Sequence, residues 1–346
     1  MKKIALYLAL FSLISCKDDI VVEKTDYSTV LENISTNVIV ETYKDFDNAA
    51  NELLAAVQAL STTRNSINFE LCKQNWRNAR IYWEQSEGFL FGPVDIEGID
   101  PKVDSWPLDT LNLNAVLRSS DAITLNYVEN LQNTQRGFHT IEYLLFGISA
   151  NKLVGDLTQR EIDYLLACSQ SLSAATNQLL NGWKSTGGNY VSNFVNAGKT
   201  GSVYPSQKSA LEELVQGIVT IANEVGNGKI NDPFVSEDIT LEESRFSDNS
   251  KADFADNIRS VKNIYLGDYN TTFNKGITDI IASKNIDLDN RVKDKITLAI
   301  AAIEAIPGTF TVAITNHKAD VANAQQKVRD LQTILESEVL PFISNL

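Results

Sequence analysis

The sequence is poor in cysteine, in histidine and in basic residues. It has three Cys in 346 residues, which is too few for a disulfide framework or for a zinc site built from thiolates. Beyond the N-terminal region, Cys72 and Cys168 either pair with each other or stay as buried free thiols. The 30 Lys and Arg residues face 44 Asp and Glu, a formal net charge of −14. Because binding to phosphate backbones or anionic lipids depends on clustered basic side chains, this balance argues against a nucleic-acid binder and against adhesion through a basic patch.

A membrane-spanning run is missing from the N-terminal region, where the apolar stretch covers only residues 4–14. That length is too short to span a bilayer and is typical of the hydrophobic region of a signal peptide. The stretch ends in Leu13-Ile14-Ser15-Cys16, which resembles a bacterial lipobox. We therefore predict a lipoprotein signal peptide over residues 1–15 and acylation of Cys16, so that the acyl chains anchor the protein to the outer membrane of the cell envelope. An ordinary secretory signal is the alternative.

The residues after the predicted cleavage point are charged, and we interpret residues 16–28 as a lipidated tether. The tether starts with Lys17-Asp18-Asp19, which resembles the sorting signal of Bacteroidetes-type lipoproteins that reach the cell surface. A polar linker with no sorting role is the alternative. Both a periplasmic and a surface-facing orientation are therefore open.

The rest of the chain carries apolar residues at helical spacing, and alternation over the length of a strand is nearly absent. This pattern predicts an all-α protein of two helical-bundle domains with long irregular loops, such as residues 88–109. We place the domains at residues 29–186 and 205–346, on either side of a junction rich in Gly, Asn and Ser. Asp156 is the expected N-cap of one helix. The predicted helices cover residues 29–60, 68–87, 121–146, 158–184, 206–225, 250–266, 276–283, 288–306 and 311–338.

The first segment whose side chains could form a functional site is Gly137-Phe138-His139-Thr140-Ile141-Glu142. A spacing of three residues puts the His139 imidazole and the Glu142 carboxylate on the same helix face. Such a pair can share a metal ion in a helical bundle, or the carboxylate can hold the imidazole tautomer for acid–base chemistry. An ion pair at a helix–helix contact is the purely structural alternative.

A second segment, residues 76–109, joins a helix bearing aromatic and basic residues to a loop rich in Pro and Gly. Its aromatic and arginine side chains are candidates for the wall of a pocket. The pocket candidates are Trp76, Arg80 and Trp106. The candidate metal ligands in the same segment are Glu87, Asp104 and Asp109.

A third segment, residues 242–267, mixes arginines with many carboxylates. Ser244 and Arg245 are pocket candidates, and Asp253 is a further candidate metal ligand. Ser247 or Asp248 is expected to cap the helix that begins near residue 250.

Taken in order, the three segments resemble the imelysin-like family. The resemblance spans about residues 30–340 and rests on three blocks of the sequence. These are Gly137-x-His139-x-x-Glu142, Trp76/Arg80/Glu87/Phe91-Gly92-Pro93 with Trp106-Pro107, and Ser244-Arg245-Phe246-Ser247 with Asp253-Phe254, Asn257-Ile258 and Tyr265-x-Gly267. The resemblance implies two helical bundles with a site near their interface that includes His139 and Glu142. It also implies iron-linked regulation or uptake at the bacterial envelope, a neighbouring outer-membrane receptor, and a peptidase grouping.

A conventional zinc peptidase does not fit the residues available. Such a site needs about three protein ligands and an open position, yet the sequence has two His and no His-Glu-x-x-His motif. The second histidine, His317, lies in a polar stretch that we expect to face solvent. One His with carboxylates suits iron, manganese or calcium better than zinc.

We therefore expect an envelope lipoprotein that binds iron, another divalent metal, or an iron-bearing ligand such as haem or a chelate. In the haem or chelate case, Arg80 and Arg245 would bind the carboxylates of the ligand. A metal-dependent peptidase and a non-catalytic surface interaction protein are the alternatives.

Overall fold

The computed structural model describes residues 25–270 and 275–346. Within these ranges the chain is built from helices and has no β-strand, so the predicted all-α class is confirmed. The predicted signal peptide, the lipidated Cys16 and residues 17–24 of the tether lie outside the described residues. Within the described ranges, no helix combines the length and the apolar content that a membrane span requires.

The helices fall into an N-terminal and a C-terminal group. The N-terminal helices are α1 (Ser28–Asn33), α2 (Glu41–Thr62), α3 (Ser66–Glu84), α4 (Pro93–Ile96), α5 (Asp100–Val103), α6 (Thr110–Arg118), α7 (Leu125–Glu129), α8 (Gly137–Phe146), α9 (Gln159–Trp183) and α10 (Ser192–Val195). The C-terminal helices are α11 (Gln207–Glu224), α12 (Asn231–Ser236), α13 (Ser250–Leu266), α14 (Ile277–Ala282), α15 (Ile286–Glu304), α16 (Phe310–Asn316), α17 (Lys318–Ile334) and α18 (Leu340–Ser344). The segments Ile34–Val40, Val225–Lys229 and Leu335–Val339 continue neighbouring helices with π-helical geometry.

The N-terminal bundle forms where α2 packs against α3 and α9 while α8 packs against the same two helices. Aromatic side chains fill its centre: the ring of Phe46 lies 5.9 Å from that of Phe138 and 5.5 Å from that of Trp83. The N-cap of the long helix α9 is Thr158, whose side chain accepts a hydrogen bond from the Glu161 N–H in a reciprocal capping box. The expected cap at Asp156 is therefore wrong.

The C-terminal bundle repeats this arrangement, with α13 and α17 each packed against α11 and α15. The two bundles meet where α3 contacts α13 and where the 3-10 turn Glu87–Phe89 contacts α11 and α13. A Cβ atom on Gly217 of α11 would lie 2.2 Å from the carbonyl oxygen of Gly88. The absence of a side chain at residue 217 therefore permits this close approach.

Several elements differ from the sequence prediction. The loop over residues 88–109 contains α4 and α5, and the helix expected over residues 121–146 is divided into α7 and α8. The junction between the groups is held by aromatic rings, since Tyr190 lies 5.0 Å and Phe194 6.0 Å from the ring of Trp183. The domain boundaries at residues 186 and 205 stay a prediction.

The two cysteines of the helical region are buried and unpaired, Cys72 in α3 and Cys168 in α9. Burial raises the pKa of the Cys72 thiol to about 12, and it also raises the pKa of Cys168. Both therefore behave as apolar core residues, as the free-thiol alternative proposed.

Candidate functional site

The His139–Glu142 pair lies on α8 and is almost fully buried. The helix begins at Gly137 with a φ of +74°, and a Cβ atom there would lie 2.3 Å from the carbonyl oxygen of Val103. The His139 Nδ1 atom lies 3.0 Å from Glu142 Oε2. Glu142 Oε1 accepts hydrogen bonds from the backbone N–H and the hydroxyl of Ser247, at 2.9 and 2.8 Å. His139 and Glu142 therefore lie on the same face of α8, as predicted, and Glu142 orients the imidazole.

Ser247 therefore does not cap the helix that follows it. The N-cap position of α13 is Asn249, whose side chain makes no capping hydrogen bond, and Asp248 is exposed with a φ of +58°. The expected cap at Ser247 or Asp248 is wrong because Ser247 binds a carboxylate from the other bundle.

The opposite nitrogen of His139 points toward Asp104. The Nε2 atom lies 3.0 Å from Asp104 Oδ1 but has no partner in hydrogen-bonding geometry. The Trp106 ring packs beside the imidazole, with the ring centroids 4.7 Å apart. Burial lowers the pKa of His139, but the carboxylates of Asp104 and Glu142 outweigh it and raise the pKa to about 9.

Arg80 of α3 is completely buried among carboxylates. Its guanidinium lies 2.6 Å from Asp104, 3.3 Å from Glu243 and 3.5 Å from Asp253, and it also contacts Glu84. Burial raises the pKa of Asp104, but Arg80 and His139 outweigh it and hold that pKa well below its usual range. Because carboxylates of the protein surround its charge, Arg80 is poorly placed to bind a haem propionate or a chelator.

Lys229 reaches the same cluster from the C-terminal group of helices. Its Nζ atom lies 2.7 Å from Glu87, 2.9 Å from Glu243 and 3.6 Å from Glu84. Asn257 Nδ2 donates to Glu84 Oε2 at 2.5 Å and to Glu87 Oε2 at 3.0 Å. Burial raises the pKa values of Glu84 and Glu87, and the nearby cations oppose that effect.

Two overlapping groups of donor atoms could hold a metal ion, and within each group the atoms lie within 4.8 Å of one another. They are Asp104, His139 and Glu243, and Glu84, Glu87, Asp104 and Glu243. Three buried donors of these groups, Glu84 Oε1, His139 Nε2 and Glu243 Oε2, make no hydrogen bond, although Glu84 Oε1 contacts Arg80 and His139 Nε2 lies 3.0 Å from Asp104 Oδ1. One imidazole with several carboxylates suits iron, manganese or another hard divalent ion, and Glu142 supplies the supporting hydrogen bond that ligating histidines require. The residues therefore fit a divalent cation.

A cavity of about 460 Å³ borders three of these residues, Glu87, Asp104 and Glu243. Its wall includes Trp106 and Lys229, and it carries the carboxylates of Glu87, Asp100, Asp104, Glu224, Asp232 and Glu243. Burial raises the pKa of Asp100 to about 6. A cavity with this excess of acidic groups attracts cations and repels anionic ligands.

The structure brings most of the predicted site residues together. The residues at the cluster are Arg80, Glu87, Asp104, Trp106, His139, Glu142 and Asp253. Ser244 is buried beside it, and its backbone N–H donates to the Ser250 hydroxyl at 3.2 Å.

Three predicted residues have other roles. Asp109 caps α6 by accepting from the Asn112 N–H at 3.0 Å. Trp76 belongs to the aromatic core, where its Nε1 donates to the Phe138 carbonyl oxygen at 3.0 Å. The half-buried Arg245 packs over its neighbour Phe246, 4.4 Å from the ring centroid.

Four residues of the cluster were missed as site candidates: Glu84, Lys229, Glu243 and Asn257. Glu84 follows Arg80 by four residues, so helical spacing could have suggested their contact. Lys229 lies in a short Asn-Gly-Lys stretch that carries no recognisable signal.

Comparison with known proteins relates the chain to one family over most of its length. The imelysin family (peptidase M75) matches residues 39–335. Iron-regulated protein A of Synechococcus elongatus (strain ATCC 33912 / PCC 7942 / FACHB-805) is 28% identical over 318 residues, which cover 90% of this chain and 86% of the relative.

Two crystal structures share the fold. A protein described as an iron-regulated protein A precursor, from Parabacteroides distasonis ATCC 8503, has a TM-score of 0.80 and 27% identity, over 91% of this chain and 94% of its own. An imelysin-like protein from Psychrobacter arcticum 273-4 has a TM-score of 0.75 and 13% identity, over 92% and 95%. The second likeness concerns the fold alone.

Proposed function

The chain belongs to the imelysin family, and on that premise we propose that it is a cell-envelope lipoprotein that binds iron as a divalent cation between its two helical bundles. The observation that carries the proposal is the convergence of Asp104, His139 and Glu243 in one buried group. Glu243 Oε2 lacks a hydrogen-bond partner there, and His139 Nε2 faces only the Asp104 oxygen, 3.0 Å away and out of hydrogen-bonding geometry. A bound cation would coordinate both atoms. The similarity to a protein named iron-regulated supports iron as the metal.

The charge of the cavity favours a simple cation over an iron chelate or haem. Its wall carries six carboxylates and a single lysine, Lys229. An anionic chelate would have to approach these carboxylates, and Arg80 is already surrounded by acidic partners. Binding through His139 Nε2 requires the neutral imidazole, so metal loading would release its proton.

A metal-dependent peptidase is the second candidate. The cavity borders Asp104 and Glu243, so an ion held there would keep room for water and a substrate carbonyl, as catalytic metal sites require. This candidate predicts turnover of a peptide panel that is lost in His139→Ala and on chelation.

The location at the envelope is part of the same proposal. It depends on acylation of Cys16, which would anchor the protein to the outer membrane, where a receptor that handles iron is the expected partner. A Cys16→Ala variant should lose incorporation of labelled fatty acid and leave the membrane fraction. Retention of both would contradict the lipoprotein proposal.

Metal content tests the binding proposal. The mature protein and the variants His139→Ala and Glu243→Gln would be equilibrated anaerobically with iron(II), manganese(II), zinc(II) or calcium(II), and bound metal would be measured by elemental analysis. His317→Ala is the matched control, because that half-exposed histidine also lies near a carboxylate, that of Asp320 at 3.8 Å, and is not one of the residues of the cluster. We expect near-stoichiometric iron in the wild type and the control, and a loss of at least tenfold in affinity in the two variants. Absence of metal from the wild type, or equal metal in His139→Ala, would overturn the proposal.

A further inference from the structure

We propose that Lys229 is a built-in counter-cation: its ammonium group holds the carboxylate cluster together without metal, and an incoming divalent cation displaces it. This inference rests on the proposed function, because it assumes that a cation binds at the cluster. It adds a regulatory element, since the affinity for metal then depends on competition with a side chain of the protein.

The first support is the position of the ammonium group. Nζ lies 2.7 Å from Glu87 Oε2 and 2.9 Å from Glu243 Oε1, with Glu84 Oε2 at 3.6 Å. These three carboxylates belong to the group of four whose oxygens could hold an ion. The ammonium and a metal ion would therefore compete for the same carboxylates.

The second support is that the ammonium leaves some donors unsatisfied. His139 Nε2 and Glu243 Oε2 are buried and have no hydrogen-bond partner. An ammonium group at the end of a flexible stem carries one charge and three N–H donors, and these already face Glu84, Glu87 and Glu243. A divalent ion brings twice the charge and can coordinate both kinds of donor.

The third support is that a displaced ammonium has somewhere to go. Lys229 lines the cavity, and its side chain is already 10% exposed. Glu224 and Asp232 are exposed and line the same cavity. The long lysine side chain can therefore leave the cluster and keep carboxylates nearby.

Substitution of Lys229 gives the first test. Lys229→Met keeps most of the length of the side chain and removes its charge. The control is Lys152→Met, because Lys152 is similarly buried at 11% exposure and pairs with Glu161 at 2.7 Å, away from the site. We expect Lys229→Met to melt at a lower temperature than the wild type without metal, since it leaves buried carboxylates unpaired. In the same variant manganese(II) should bind about tenfold more tightly, since competition is removed, and should raise the melting temperature more than in the wild type.

Chemical labelling of the wild type gives a second test that needs no substitution. The full-length protein would be treated briefly with an amine-acetylating reagent, with and without manganese(II), and each lysine would be quantified by mass spectrometry. Lys229 should react several-fold faster when manganese is bound, while Lys152 should react at an unchanged rate.

The outcomes separate this inference from the proposed function. Metal binding to the wild type with unchanged labelling of Lys229 would overturn the displacement but leave the metal site intact. Equal or weaker manganese affinity in a folded Lys229→Met would do the same. Absence of metal from both proteins would overturn both proposals. Binding only in Lys229→Met would also overturn both, because the wild-type ammonium would then exclude the metal and not be displaced by it.

Discussion

Replacing Arg80 should destabilise the protein more than replacing any exposed arginine. Its side chain is fully buried, and its ion-pair partners Glu84, Asp104, Glu243 and Asp253 are each no more than 8% exposed. Removing one partner of a buried ion pair typically costs about 3–5 kcal/mol, because the remaining charge stays buried without compensation. We therefore expect Arg80→Met to lose at least about 3 kcal/mol of unfolding free energy.

Urea unfolding in the presence of a chelator measures this loss without a contribution from bound metal. Arg291→Met is the matched control, because Arg291 also bridges two carboxylates but is 43% exposed, and its partners Asp287 and Glu338 are exposed as well. Exposed ion pairs contribute about 0–1 kcal/mol, so the control should lose little. Adding Asp253→Asn to Arg80→Met should recover part of the loss, since it removes one of the uncompensated charges. Equal losses in Arg80→Met and Arg291→Met would refute the reasoning.

Three further predictions concern other parts of the molecule. Burial raises the pKa of Glu242 from 4.5 to about 7. The protonated carboxyl group therefore contributes about 3 kcal/mol to the unfolding free energy. This contribution is complete below pH 4.5 and is lost as the pH rises through 7. Urea unfolding between pH 4.5 and 8 should show a flatter profile for Glu242→Gln, and an identical profile would contradict the assignment. Gly217→Ala should lower the unfolding free energy by about 1–3 kcal/mol, because its Cβ atom would overlap the Gly88 carbonyl oxygen. Gly155→Ala, with open space around it, should leave the unfolding free energy unchanged. Equal melting temperatures of the two variants would argue against the close contact. Ser247→Ala should weaken iron(II) binding by about tenfold in a titration, because it removes the hydroxyl hydrogen bond to Glu142 and leaves only the backbone N–H to hold the carboxylate that orients the imidazole. Ser169→Ala, a buried serine bonded within its own helix, should bind like the wild type.

Part of the candidate site could be predicted because its residues are neighbours along one helix. The i, i+3 spacing of His139 and Glu142 alone places both on one face of α8, and their atoms lie 3.0 Å apart. The role of Asp109 was harder to predict, because a carboxylate in a loop suits a metal ligand as well as a helix cap. Its capping hydrogen bond to Asn112 depends on where α6 begins, and sequence patterns define helix ends poorly.

The sequence by itself determined the helical class, the approximate course of the helices and the His139–Glu142 face, because these depend on interactions between residues a few positions apart. Only the tertiary structure decided that Lys229 and Glu243 join Arg80 and Asp104 in one buried cluster. These residues are brought together by packing of α3 against α13 and of the Glu87–Phe89 turn against α11. Such packing depends on the shape and burial of side chains across the whole chain, so the spacing of residues along one helix does not predict it.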